Sequence, residues 1–382
     1  MNISINDFVK KIIDNEKIYL IDIRTKEAFD KIKLEGKSNF HLFNLPYPTI
    51  KDNPSKKLTS FIQEHEIPKN NVFAICYKGN SSKLLCQTFE DLNHPITNVM
   101  GGMDAWEQFY GITAIPHTRC TIYQIQRLAK GCLSYIIVSN NQAIIVDPLS
   151  KEDLYIDFIQ KNNLHLKFIV DTHIHADHFS SGVKLSLYFN VPYRIHPYEA
   201  INPLDQSFAN FIYSPLSNDE VFYLGNASLT FFHIPGHTMG QLAINVDNKF
   251  LICGDSIFMH SLARPDLGRQ LDSWIIHFYN TLEKIMNLPK DIILLPGHFS
   301  NLEEMNSDFY IGQSLEKVKA TNSAINHFFA GFTAFDLFIR KSLPMLPKEY
   351  ETIKRANLYQ LAVSDQDIAG LECGKNMCSL KS

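Results

Sequence analysis

The chain has 382 residues, 45% of them hydrophobic and 20% charged, which is the composition of a soluble globular protein with room for two or three domains. Its formal net charge of −4 speaks against nucleic acid as a general partner, because phosphate contacts need a basic surface. Met1-Asn2-Ile3-Ser4 lacks the basic and apolar blocks of a signal peptide, and no apolar run approaches membrane-spanning length. The seven cysteines follow no framework spacing and read as reduced thiols in a cytoplasm.

The first 110 residues have their own rhythm. Residues 17–23 form a strand-like apolar run ending in Asp22-Ile23-Arg24, and residues 72–76 form another that ends at Cys76. Tyr77-Lys78-Gly79-Asn80-Ser81-Ser82 follows, and then a helical pattern with Leu84, Leu85, Thr88, Phe89 and Leu92 on or near one face. A cysteine placed between a strand and a helix start faces loop amides and the helix N-terminus. Both favour its thiolate, and Lys78 adds a positive charge. Taken alone, a strand-terminal cysteine is more often a buried hydrophobe.

After a short linker at 112–117, residues 132–138 and 143–146 flank Asn140-Asn141 as a hairpin, closed by Asp147-Pro148. The apolar run 166–170 then leads into Thr172-His173-Ile174-His175-Ala176-Asp177-His178. Three further loops follow apolar runs in the same way: Pro235-Gly236-His237-Thr238, Gly254-Asp255-Ser256 and Pro296-Gly297-His298. Imidazole and carboxylate together suit zinc, iron or manganese, and four loops at strand ends can converge on one edge of a sheet. Beyond residue 335 the chain turns helical and polar. It then carries Cys373 and Cys378, a spacing open to metal binding or a redox switch but more often found in an ordinary tail.

These motifs carry two family resemblances. H-x-H-x-D-H, G-H-T, G-D and P-G-H, in that order over about 118–335, resemble the metallo-β-lactamase superfamily. That implies an αββα sandwich with its metals at one edge of two sheets. Asp22-x-Arg24-x-x-Glu27-x-Phe29, then residues 34–40, the Cys76 loop and Met100-Gly101-Gly102-Met103-Asp104-Ala105-Trp106 resemble a rhodanese domain over about 5–113. The expected organisation is an α/β rhodanese-like domain at 1–113, the sandwich at 118–335 and a helical extension at 336–382. The rhodanese resemblance gives Cys76 the role of persulfide carrier, with Lys78, Gly79, Asn80, Ser81 and Ser82 as its loop. Tyr77 and Ser81 stand where that family often has arginines. Arginine is the better fork for a dianion, so a persulfide donor is expected over thiosulfate.

The superfamily resemblance implies two arrangements. In that of glyoxalase II, a thioester hydrolase, His173, His175 and His237 hold one zinc, Asp177, His178 and His298 a second, and Asp255 bridges. In that of the persulfide dioxygenases, His173, His237 and Asp255 hold one Fe(2+) with positions open for substrate sulfur and O2. His175, Asp177, His178 and His298 then orient ligands and substrate. The A-R-P-D-L element with Arg264 and Asp266, and Lys130-Gly131-Cys132-Leu133-Ser134-Tyr135, resemble the dioxygenase group. A fused sulfurtransferase supplies the chemical logic. The expectation is oxidation of glutathione persulfide, or a related thiol persulfide, to sulfite at one iron. Arg264 and Asp266 form a substrate loop, and the partners are a small-molecule persulfide and O2. Neither nucleic acid nor membrane is expected as a partner, and a homodimer is compatible with the chain.

Overall fold

The computed structural model describes residues 1–91 and 94–380. Leu92, expected on the helical face after Cys76, lies outside the described residues, as do the side chains of Thr88 and Phe89. The described residues divide into two compact units. One comprises 1–111 with 127–131 and 300–303, and the other comprises the remainder.

The first unit is built on a five-stranded parallel sheet in the spatial order Asn2–Ile3, Thr97–Val99, Val72–Ile75, Ile18–Asp22, Phe40–Asn44. Strands Ile18–Asp22 and Val72–Ile75 are central. They read as nearly continuous apolar runs because helices such as Ile5–Ile13 and Pro54–Glu64 cover the sheet. Ile21, Ala74, Leu58 and Phe61 meet in that core.

The second unit holds two sheets. A seven-stranded sheet runs in the order Ser214–Pro215, Tyr193–Ile195, His165–Val170, Gln142–Val146, Cys132–Ser139, Thr121–Arg127, Gly111–Pro116. A six-stranded sheet runs Glu220–Leu224, Ala227–His233, Leu242–Val246, Phe250–Ile252, Ile293–Leu295, Gln313–Ser314. The sheets face one another: the Phe168 ring of one lies 4.9 Å from Phe222 and 6.2 Å from Phe231 of the other. Helix Glu152–Lys161 packs outside the first sheet, Phe158 edge-on to Tyr123. Phe278 of helix Leu271–Met286 packs against Phe335 of helix Phe332–Ser342. The layers are therefore αββα. The expected hairpin forms as read, with Asn140 and Asn141 both left-handed at φ 48° and 59°, the conformation a two-residue hairpin loop asks for.

The C-terminal stretch is not the ordinary tail expected from its composition. Helices Glu349–Asn357 and Asp365–Leu371 belong to the second compact unit. Ser379 bridges Ala263, and Leu380 N–H donates to Leu262 O. Among the described residues no helix is long and apolar enough to cross a membrane.

Candidate functional site

In the first unit, strand Val72–Ile75 delivers Cys76 to the turn that opens helix Asn80–Asp91. Gly79 N–H donates to Cys76 Sγ at 3.1 Å and Ser82 N–H at 3.5 Å, with the Ser82 hydroxyl 3.3 Å away. Backbone dipoles thus surround the sulfur on the side of the first helical turn. Ser82 Oγ also lies 2.7 Å from Asn98 Oδ1, which fixes the hydroxyl. The glycine motif holds the loop from the other side: Met103 N–H donates to Cys76 O at 2.9 Å and Asp104 N–H to Tyr77 O at 3.0 Å. Gly102 sits at φ +59°, and a Cβ there would come within 2.2 Å of Cys76 O, so no other residue fits. Of the expected loop residues, Gly79 and Ser82 are buried against the sulfur, whereas Lys78, Asn80 and Ser81 are exposed.

In the second unit, two pairs of parallel strands bring the histidine loops together. Val170 lies opposite Val146, so Asp147 and the 171–178 loop leave the first sheet side by side. Ile252 lies opposite Leu295, so Asp255 and His298 leave the second sheet in the same way. Gly297 N–H donates to Gly254 O, and a Cβ on Gly297 would come within 2.4 Å of Asp255 Oδ1. The glycine of P-G-H is what lets the two ligand loops approach.

The gathered side chains form three buried groups with potential ligand atoms within 4.8 Å of one another: His173, His237 and Asp255; Cys132, Asp177, His178 and His298; Asp147, Asp171 and His175. In the first, His173 Nε2, His237 Nε2 and Asp255 Oδ2 have no hydrogen-bond partner. Their partners elsewhere settle the tautomers. His237 Nδ1 lies 2.8 Å from Arg264 O, which can only accept, so Nδ1 carries the proton and Nε2 a lone pair. The Thr172 hydroxyl donates to Asp147 Oδ2 at 2.9 Å and therefore accepts from His173 Nδ1 at 3.0 Å, leaving His173 Nε2 bare. Burial holds His173 well below the usual histidine range, with the charges of His175 and His237 adding to it; burial also lowers His237. Two neutral imidazoles and a carboxylate aimed at one point, all otherwise unsatisfied, fit a divalent cation.

His175 and His298 differ. Burial opposes charge on both, but carboxylates prevail. Asp147, 3.3 Å from His175 Nε2, with Asp171 and Asp177 raises His175 to about 9. His298 stands between Asp255 Oδ1 at 2.6 Å and Asp177 Oδ2 at 2.9 Å, which hold it well above its ordinary value. Asp177 Oδ2 also accepts from the Asn376 amide.

Around these groups lies a layer absent from the sequence reading. Both Glu199 oxygens accept backbone amides, Gly240 N–H at 2.8 Å and Ile174 N–H at 2.7 Å, tying the His237 loop to the His173 loop. Asn357 donates to His175 O and His178 O, both at 2.8 Å, and Glu372 accepts from Phe179 N–H at 2.7 Å. Arg264 and Asp266 are reassigned. The Arg264 guanidinium is fully buried and engaged by Asp266 at 2.6 and 2.8 Å, by Pro344 O and by Met377 O. It anchors the C-terminal segment instead of facing substrate, and its carbonyl orients His237. Cys373 and Cys378 form no disulfide and join none of the three groups. Asp147 and Asp171 had one legible signal: each is the first residue past paired parallel strands.

The family model for the metallo-β-lactamase superfamily matches residues 128–298, and that for the rhodanese-like domain matches residues 6–109. The chain is 29% identical over 132 residues to a hydroxyacylglutathione hydrolase of Wigglesworthia glossinidia brevipalpis, a match covering 35% of this chain and 47% of that protein. It thus spans about half that hydrolase's length. Among solved structures, a metallo-β-lactamase from Staphylococcus aureus aligns with TM-score 0.57 at 22% identity, over 65% of this chain and 75% of that one. ETHE1 from Myxococcus xanthus aligns with TM-score 0.51 at 17% identity, over 65% of this chain and 98% of that one. At such identities the alignments speak for fold alone. The chain joins an N-terminal rhodanese-like domain to a domain of the metallo-β-lactamase superfamily.

Proposed function

We propose that the chain is a persulfide dioxygenase fused to a sulfurtransferase: glutathione persulfide, or a related thiol persulfide, reacts with O2 and water to give sulfite and the free thiol, and Cys76 carries sulfane sulfur. The carrying observation is the division of Asp255. Its Oδ2 joins the bare nitrogens of His173 and His237, while its Oδ1 is engaged by His298 Nδ1 at 2.6 Å. A carboxylate so engaged favours one ion held by His173, His237 and Asp255 over a bridge between two. An Fe(2+) ion there would supply open positions at which a persulfide sulfur and O2 can meet. The residues then have distinct tasks. The Arg264 carbonyl and Thr172 hold the His237 and His173 rings in their binding tautomers, as outer partners of metal-bound histidines do. His298 and Asn376 engage Asp177 Oδ2, which leaves His173, His237 and Asp255 as the group that would hold a single ion. In the other domain, the amides of Gly79 and Ser82 point at the Cys76 sulfur and hold it at the mouth of the loop where it would accept a sulfur atom.

The group of Cys132, Asp177, His178 and His298 favours a second reading, a dinuclear hydrolase of glutathione thioesters, the activity named for the Wigglesworthia relative. One experiment separates them. Protein purified without oxygen should carry about one iron per chain and consume O2 on addition of glutathione persulfide. His237→Ala should lower both by more than about 100-fold, beyond the usual effect of removing an outer partner. Two tightly held zinc ions, no O2 uptake and thioester hydrolysis would replace the first reading with the second.

A further inference from the structure

The Ser82 hydroxyl has two acceptors in reach and one proton to give. Its Oγ lies 2.7 Å from Asn98 Oδ1 and 3.3 Å from Cys76 Sγ, and it can donate to only one of them. Asn98 is a polar residue in an apolar place. It is 2% exposed, on strand Thr97–Val99, in register with Ala74 of the wholly apolar strand that leads to Cys76. A buried amide costs stability unless it is bonded, and this one is bonded at both ends. Its Oδ1 faces Ser82, and its Nδ2 donates to Asn2 Oδ1 at 3.0 Å. Asn2 is exposed and stands opposite Asn98 on the neighbouring strand. Cys76, Ser82, Asn98 and Asn2 therefore form one hydrogen-bonded line from the sulfur to the surface.

Every link of that line can run in either direction. While Asn98 Oδ1 takes the hydroxyl proton, Ser82 turns a lone pair to the sulfur, and Cys76 can only donate its S–H. With both amides turned over, Asn98 donates to Ser82 Oγ and the hydroxyl points its proton at Cys76 Sγ, which then accepts. The two ends of an amide have nearly the same shape, so the reversal disturbs no packing. Asn98 stays satisfied in both forms, and exposed Asn2 can also be served by water. We infer that Asn98 is a positioning residue for Cys76: its reversal aims the Ser82 proton at the sulfur when the sulfur is charged and withdraws it when the sulfur is protonated. The proton lost by Cys76 goes to solvent, because neither amide gives one up. The ionised sulfur then attacks the outer sulfur of a donor R–S–SH; the new S–S bond forms as the old one breaks, and RS⁻ leaves with the electron pair. That use rests on the sulfur-carrier reading above, whereas the reversible line rests on the single proton of Ser82.

The test is the rate at which iodoacetamide alkylates Cys76 in the full chain at neutral pH, followed by the mass of the peptide that carries it. Ser82→Ala should slow the reaction about four- to twentyfold, the worth of a bond to a charged sulfur less the gain in its intrinsic nucleophilicity. Ser82→Thr keeps a hydroxyl and should stay within about twofold. Asn2→Asp is the sharper probe, because an exposed carboxylate only accepts. It pins Asn98 Nδ2 outward and Oδ1 on the Ser82 proton, so alkylation should slow about threefold or more. In a Ser82→Ala background the line is cut, and Asn2→Asp should change the rate by less than about 1.5-fold. The slowing should also survive added salt, which would erase a through-space effect of an exposed charge. The inference is overturned if Ser82→Ala reacts within about twofold of the unmodified protein, or if Asn2→Asp has no effect. It is equally overturned if the Asn2→Asp effect persists without the hydroxyl or disappears in salt. The salt comparison alone decides the matter if Ser82→Ala does not fold. Sulfur transfer to cyanide, read on the same samples, keeps the two claims apart. The expected alkylation pattern without any transfer sinks the carrier reading and leaves the reversible line. Transfer with alkylation indifferent to both variants sinks the line alone.

Discussion

At Cys76 the sulfur is contacted by the N–H groups of Gly79 and Ser82, and the loop itself is suspended from the amides of Met103 and Asp104. At the cluster of His173, His237 and Asp255, the converging atoms all belong to side chains, each steadied from a different part of the chain. A site made of backbone depends on the path of the chain, so it needs glycine where the path is tight and tolerates change in side chains. A site made of side chains needs specific residues two layers deep. This explains why the sulfur loop keeps its geometry with Tyr77 and Ser81 in place of basic residues, and why the metal-type site recruits Glu199, Asn357 and Glu372 from far along the sequence.

The largest expected effect tests whether the two constructions work separately. Cys76→Ser removes the proposed nucleophile and should abolish sulfur transfer to cyanide, a loss of at least about 10³-fold as for other nucleophile deletions. Oxygen uptake with preformed glutathione persulfide should stay within about twofold, because no ligand or outer partner in the second unit changes. A parallel collapse of both rates would end the claim of independence.

The next effect is smaller and falls on the outer layer of the metal-type site. Asp147 stands at φ 51° and accepts from Thr172 N–H at 2.6 Å, from the Thr172 hydroxyl and from His175. Asp147→Asn keeps the shape but removes the charge and one acceptor, freeing Thr172 and through it the His173 ring. Metal affinity should fall about 10- to 100-fold, measured by competition with a chelator, while sulfur transfer is unchanged. An unaltered affinity would mean that Thr172 alone orients His173.

Legibility in the sequence follows the same division. The hairpin at 132–146, the strand ending at Cys76 and the four ligand loops were readable because each rests on neighbours in sequence. Paired asparagines accept left-handed turns, apolar runs mark strands, and glycine and proline mark the loops that follow. The order of the seven-stranded sheet, and the roles of Glu199 and Asn376, were not readable, because those side chains act across long separations with no local pattern. Arg264 shows the opposite error. Its motif suggested substrate contact, but a fully buried guanidinium needs its donors satisfied within the protein, and Asp266, Pro344 O and Met377 O do so.

The smallest effect addresses side-chain tolerance in the backbone-built site. Ser81 is exposed in the first turn of helix Asn80–Asp91, and none of the hydrogen bonds to Cys76 Sγ uses its side chain. Ser81→Arg therefore leaves the cradle intact and adds one guanidinium where an incoming dianion would approach. Thiosulfate should be a poor donor for the unmodified protein, and the variant should raise its kcat/KM about three- to tenfold, the range of one exposed charge-assisted contact. The gain should shrink with added salt, because an exposed charge is screened over about 10 Å at 0.1 M. Use of a neutral organic persulfide should stay within about twofold. A cation in the first turn opposes the helix dipole, so the variant should also lose roughly 0.3–1 kcal/mol of stability. Strong thiosulfate turnover by the unmodified protein would show that backbone amides alone suffice for a dianion. A gain that ignores salt would show that the arginine acts by reshaping the loop, against the rigidity that Gly102 and the two suspending amides give it.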